Sequence, residues 1–274
     1  MTATRTGRRT RDPLGRAPLV LLVPALLATL LLVVPLASMV AATDWPGLAG
    51  ELRSPLLRQA LWLSVSTSTG AMLVCLVLGL PLAWLLARVE FAGRGLLRAV
   101  VTVPLVLPPV VAGVALRAAF GRTGTLGEPL HDLTGFSFPF TVWGVVLAHS
   151  FVSLPFVVIA IEGALRSAHP EYDAAAATLG ASRWTTFRRL TVPLALPGIL
   201  AGMVLGWARS LGEFGATITL NGNYPGRTQT MPTLIYVTRQ SDQDAALALS
   251  LVMLVVSVSV LLLLRDRWLG TGVT

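Results

Sequence analysis

The chain has 274 residues, 54% of them hydrophobic and only 12% charged, against a charged share of about 25% in a soluble domain. Its formal net charge of +8 comes from 21 basic residues, all arginine. An ordinary soluble domain is excluded, and so is a self-sufficient P-loop ATPase, whose G-x-x-x-x-G-K-[ST] loop needs a lysine to reach the β/γ-phosphates.

Residues 1–16 form an Arg-rich tail carrying Arg5, Arg8, Arg9, Arg11 and Arg16. The apolar run that follows, 17–42, is too long for a cleavable signal core of about 7–15 residues and reads as a membrane span. Further runs at 59–87, 99–120, 138–161, 193–220 and 245–264 each reach the roughly 20 residues that cross a bilayer as helix. Residues 17–264 thus read as one transmembrane domain of six spans, followed by a second tail at 265–274.

Cys75 lies inside the second span and reads as a small core residue, since a single cysteine makes no disulfide within its chain. The third span contains "PLVLPPVVAG", with Pro104, Pro108, Pro109 and Gly113. So many breakers kink or interrupt a helix. Irregular backbone at membrane depth is tolerated where protein buries it or where it lines an aqueous cavity. Pro108 and Pro109 are therefore candidates for the wall of a pathway, the alternative being a kinked packing helix. His131, His149 and His169 share no metal-ligand spacing, and neither a metal nor a cofactor is expected. His149 and Ser150 are adjacent, and adjacent helical residues do not face each other. A catalytic pair is not expected there.

The connection after the fourth span, 166–192, holds a helix-turn-helix that is too polar and too short to cross. Pro170 suits a first helical position, with Glu171 and Asp173 in the first turn. A short helix is expected at 170–179, ended by Gly180 as a left-handed cap. Ser182 then caps a second short helix that Pro193 ends. Trp184, Phe187 and Leu190 give that helix an apolar stripe among Arg183, Arg188 and Arg189. Such a stripe suits either a protein groove or the membrane surface.

The fifth span holds Arg209 and Glu213 in "GWARSLGEFGAT". On an ideal helix at about 100° per residue, Gly198, Gly202, Gly206, Arg209 and Glu213 share one stripe about 80° wide. Leu200, Trp207, Leu211 and Phe214 fall on the other face. Glycines at this spacing admit a close neighbouring helix. The two charges face protein or water, as a structural ion pair or as part of a solute path.

Arginine distribution orients the chain. Fourteen arginines fall on the side of the termini and of the second and fourth connections, including Arg88, Arg94, Arg98, Arg166, Arg265 and Arg267. Six, namely Arg53, Arg58, Arg117, Arg122, Arg227 and Arg239, fall on the other. Both termini are therefore expected in the cytoplasm of a multi-pass plasma-membrane protein. The basic charge is a topology signal, with lipid as the surrounding partner and no nucleic acid.

The stretch "DAAAATLGASRWTTFRRLTVP", 173–193, resembles the cytoplasmic loop of binding-protein-dependent ABC importer permeases, E-A-A-x3-G-x9-I-x-L-P. Gly180 and Pro193 keep its spacing, Leu190 and Val192 replace Ile and Leu, and the glutamate slot falls on Ala174 with Asp173 one place earlier. The segment "ARSLGEFGATITLNGNYPGRTQTMP", 208–232, resembles the molybdate branch of that family, sulfate permeases sharing its L-G-E-[FY]-G core. The resemblance implies a type I importer-like, all-α integral membrane fold with a coupling helix between spans 4 and 5. It implies a non-enzymatic subunit that works with two ABC ATPase subunits, an extracytoplasmic molybdate-binding protein and a second copy of itself. ATPase coupling falls by this reading on Asp173, Ala174, Gly180, Arg183, Trp184, Phe187, Leu190 and Pro193. Translocation falls on Pro108, Pro109, Arg209, Ser210, Glu213 and Thr217. Sulfate, thiosulfate or tungstate transport, and a stand-alone ion-coupled transporter, are the alternatives.

Overall fold

A computed structural model describes residues 19–167 and 170–269. Among them every regular element is helical, the arrangement that lets each backbone N–H and C=O find a partner without water. The chain divides into two units, Met1–Thr43 and Asp44–Thr274. The first contains α1 (Leu19–Ala41), an uncharged helix with Pro24 and Pro35 inside it. The Thr29 hydroxyl donates to the Ala25 carbonyl at 2.8 Å, which satisfies the one polar side chain at mid-helix. The tail at 1–16 lies outside the described residues.

The second unit begins with α2 (Trp45–Leu52) and the long span α3 (Pro55–Arg88). Next come α4 (Arg94–Val106), α5 (Pro109–Phe120) and α6 (Gly127–Thr134). The central helix is α7 (Val142–Ser167). It is followed by α8 (Pro170–Thr178), α9 (Arg183–Thr186), α10 (Val192–Leu211) and α11 (Gly215–Asn221). The chain closes with α12 (Met231–Thr238) and α13 (Gln243–Leu269). Among the described residues five helices are long and apolar enough to cross a membrane, and six spans result if α4 and α5 count as one.

α7 is packed between α3 and α10. Val157, Val158, Ile161 and Leu165 of α7 meet Met72, Cys75 and Leu86 of α3 and Ala195 and Ile199 of α10. Small residues permit the approach: a β-carbon on Gly202 would stand 2.8 Å from that of Ala160, and one on Gly198 would overlap Ala164. The predicted glycine stripe is thus the α10 face that meets α7. Leu211, expected on the opposite face, is also buried.

One expectation is met and two are corrected. The third span is interrupted, one of the two forms expected from its prolines: α4 and α5 meet at 119° across Leu107 and Pro108. Both residues are extended, with ψ of 130° and 136°, as consecutive prolines require of the residues before them. The fourth span starts at Val142 instead of 138, after Phe140 in left-handed backbone (φ 60°). The Thr141 hydroxyl caps α7 by accepting the Gly144 N–H at 3.1 Å. Finally, Pro193 does not end a short helix. α9 runs through a π-turn at Phe187–Thr191 into α10, where the Val192 N–H reaches back to Phe187. The wider turn makes room for a proline ring that would clash with the carbonyl four residues earlier.

Candidate functional site

α10 leaves the helix at Gly212, and α11 starts three residues later. The sequence expectation of one helix over 193–220 is corrected here: Glu213 stands in the break. Its carboxylate still reaches the predicted partner, with Oε2 2.7 Å from Arg209 Nη1. The other oxygen, Oε1, accepts the Ala216 N–H at 2.9 Å. Glu213 therefore neutralises Arg209 and caps the first turn of α11 together. Its side chain is 1% exposed, while that of Arg209 is 30% exposed. The guanidinium keeps an open face; the carboxylate does not.

The break in α10–α11 adjoins the break in α4–α5. A β-carbon on Gly215 would stand 2.6 Å from that of Pro109. One turn on, a β-carbon on Gly113 would be 2.6 Å from Thr219 Cβ and 2.9 Å from the Ala216 carbonyl. Apolar residues extend the contact, with Ala112 and Leu116 of α5 against Ala216 and Leu220 of α11 and Ala148 and Val152 of α7. Pro108 and Pro109 are exposed beside it. Ser210 and Thr217 are buried on either side of Glu213. All six predicted pathway residues (Pro108, Pro109, Arg209, Ser210, Glu213 and Thr217) thus lie at or next to one pair of adjoining helix breaks.

Two features were missed in the sequence. His149, 1% exposed on α7, places Nδ1 3.2 Å from the Ser210 hydroxyl. The adjacent Ser150 is not its partner, since the Ser150 hydroxyl donates to the Val146 carbonyl at 2.7 Å. Glu162 is buried at the Arg-rich end of α7, with Oε1 2.6 Å from Arg98 Nη2 and 2.8 Å from Arg166 Nη2. Arg94 donates to the Leu86 carbonyl from Nε at 2.9 Å and Nη2 at 2.6 Å. These contacts tie the ends of α3, α4 and α7. The signal is the Glu162 to Arg166 spacing of four, which the apolar run at 138–161 hides because both residues lie just past its end.

At the predicted coupling segment, Gly180 is left-handed (φ 78°) and its N–H reaches the Ala177 carbonyl at 3.0 Å. The Ala181 N–H reaches the Ala176 carbonyl, also at 3.0 Å, closing α8 in the manner of a glycine cap. The Ser182 hydroxyl accepts the Thr185 N–H at 3.2 Å and starts α9. Asp173 and Ala174 lie on α8, and Arg183 on α9. The apolar stripe is divided in use. Phe187 packs edge-on against Trp84 of α3 (5.9 Å) and is stacked with Trp184 (5.6 Å). Leu190 is half-buried, and Trp184 remains 67% exposed. Leu179, at the end of α8, is 88% exposed. Pro193 is exposed within the continuous helix, and His169 lies outside the described residues.

Residues 76–273 match the family model described as "Binding-protein-dependent transport system inner membrane component". The molybdenum transport system permease protein ModB of Mycobacterium tuberculosis is 46% identical over 225 residues, 82% of this chain and 85% of that protein. The sulfate transport system permease protein CysT of Escherichia coli is 36% identical over 227 residues, 81% and 82% of the two chains. A permease fold is shared with a bacterial alginate ABC transporter solved in complex with an alginate pentasaccharide-bound periplasmic protein. There the TM-score is 0.75 at 20% identity, covering 93% of this chain and 95% of that one.

Proposed function

This chain belongs to the inner membrane component family of binding-protein-dependent transport systems, and from that premise we propose that it is the membrane-spanning subunit of an ATP-driven molybdate importer. The observation that carries the anion is the margin in identity, 46% to a molybdenum permease against 36% to a sulfate permease over nearly the same length. Chemistry agrees with a tetrahedral oxyanion. Arg209 offers a half-open guanidinium between the helix breaks, with one nitrogen already committed to Glu213. A cation so offset binds an anion weakly enough to let it leave, which conduction requires.

ATP hydrolysis is assigned to two partner subunits, because the chain has no lysine for a P-loop. The coupling surface is the stretch from α8 through Gly180 to α9, with Leu179 and Trp184 outermost. A second copy of the chain and an extracytoplasmic binding protein complete the assembly, with both termini in the cytoplasm. Reconstitution with the binding protein, with and without the ATPase subunits, tests the assignment. Molybdate uptake that needs both the ATPase and ATP is the expected result. Uptake driven by an ion gradient alone would reject it.

A further inference from the structure

We propose that His149 is a positioning residue for the translocation pathway: through Ser210 it holds the last turn of α10, and with it the Arg209–Glu213 pair, against α7. The inference rests on the pathway reading above. Its basis is a connected line of buried contacts. His149 Nδ1 is 3.2 Å from the Ser210 hydroxyl, and the Ser210 carbonyl accepts the Glu213 N–H at 3.0 Å. Glu213 in turn spends one oxygen on Arg209 and the other on the Ala216 N–H. His149, Ser210 and Glu213 are each at most 1% exposed.

The need for a tether follows from the break. The last turn of a helix is held by fewer hydrogen bonds than an interior turn and frays more readily. Arg209 and Ser210 stand in such a last turn, since the helix stops at Leu211. α7 is a firm anchor because Val157, Val158 and Ile161 are fully buried between α3 and α10. Packing alone does not account for an imidazole here. Its Nε2 is buried and finds no hydrogen-bond partner among the described residues, an expense that an apolar side chain of similar size would avoid.

The test uses the complex reconstituted with its ATPase and binding protein, and reads molybdate imported per ATP hydrolysed. His149→Leu is expected to lower that ratio about tenfold, the factor corresponding to about 1.4 kcal/mol. Assembly and basal ATP hydrolysis should stay near wild type, which a loss of structure would not allow. His149→Gln, which keeps a hydrogen-bonding group, should restore most of the ratio. Ser210→Ala should match His149→Leu, and the double variant should be no worse, because one bond is lost only once. An unchanged ratio in His149→Leu, or losses that multiply in the double variant, would overturn the proposal. If His149→Leu does not assemble, Ser210→Ala decides by the same ratio. Should the wild-type complex itself import no oxyanion, the pathway reading fails; a competent wild type with unaffected variants rejects the tether alone.

Discussion

Gly215 sits against Pro109 with no room for a methyl group between them: its β-carbon would lie 3.1 Å from the Val110 nitrogen as well as touching the proline ring. The two interrupted spans therefore meet backbone to ring at their breaks, and neither half-helix can come closer without displacing the other.

Gly215→Leu should force α5 and α11 apart, with an overpacking cost of about 1–3 kcal/mol. Gly212→Ala, three residues away, meets nothing closer than the Ala208 carbonyl at 3.9 Å and should change little. Thermal unfolding of the two purified variants checks this. Equal melting temperatures would show that the contact is slack.

Arg209 and Glu213 should respond unequally to removal. Arg209→Leu strands a carboxylate that is 1% exposed, whereas Glu213→Leu strands a guanidinium that is 30% exposed. Breaking a buried pair from one side costs about 3–5 kcal/mol, so Arg209→Leu should lose the most folded protein and the double change should recover part of it. Glu213→Gln should do better than Glu213→Leu because its amide oxygen still caps Ala216. Yield and melting temperature across the four variants measure this, and strictly additive losses would argue for separate roles.

The ion pair was legible in the sequence because a spacing of four persists across a single missed turn. The break beneath it was not. Gly212 and Gly215 fall outside the four-residue glycine stripe that begins at Gly198, but an off-stripe glycine does not by itself mark a helix end, and only the contact with Pro109 gives Gly215 its purpose. The span count came from hydropathy alone, but the ends did not. Glu162 and Arg166 extend α7 beyond the apolar run, since their charges are satisfied by each other and by Arg98. Pro193 looked like a stop, and the π-turn before it removes the clash on which that expectation depended.

Gly180→Val should disrupt coupling without touching a span. Nothing lies within 4 Å of a β-carbon there, so the strain comes only from a φ of 78°, which a β-branched residue tolerates poorly. Insertion should be normal, and co-purification of the ATPase and binding-protein-stimulated ATP hydrolysis should fall together. Retention of both would favour α9 as a membrane-surface helix.

Orientation is tested by single cysteines in a Cys75→Ser background. Leu133, 85% exposed at the end of α6, should react as Leu133→Cys with an impermeant thiol reagent added outside cells stripped of any outer barrier. Ser182→Cys, at the start of α9, should react only after the membrane is opened. The reverse pattern would invert the topology drawn from the arginines.

The most direct measurement of the central claim is ATP-dependent uptake of labelled molybdate by the reconstituted complex, with unlabelled molybdate, tungstate and sulfate as competitors. An importer of the proposed kind is blocked by molybdate and is little affected by an equal concentration of sulfate. Sulfate competing as well as molybdate, or labelled sulfate entering in its place, would contradict the account.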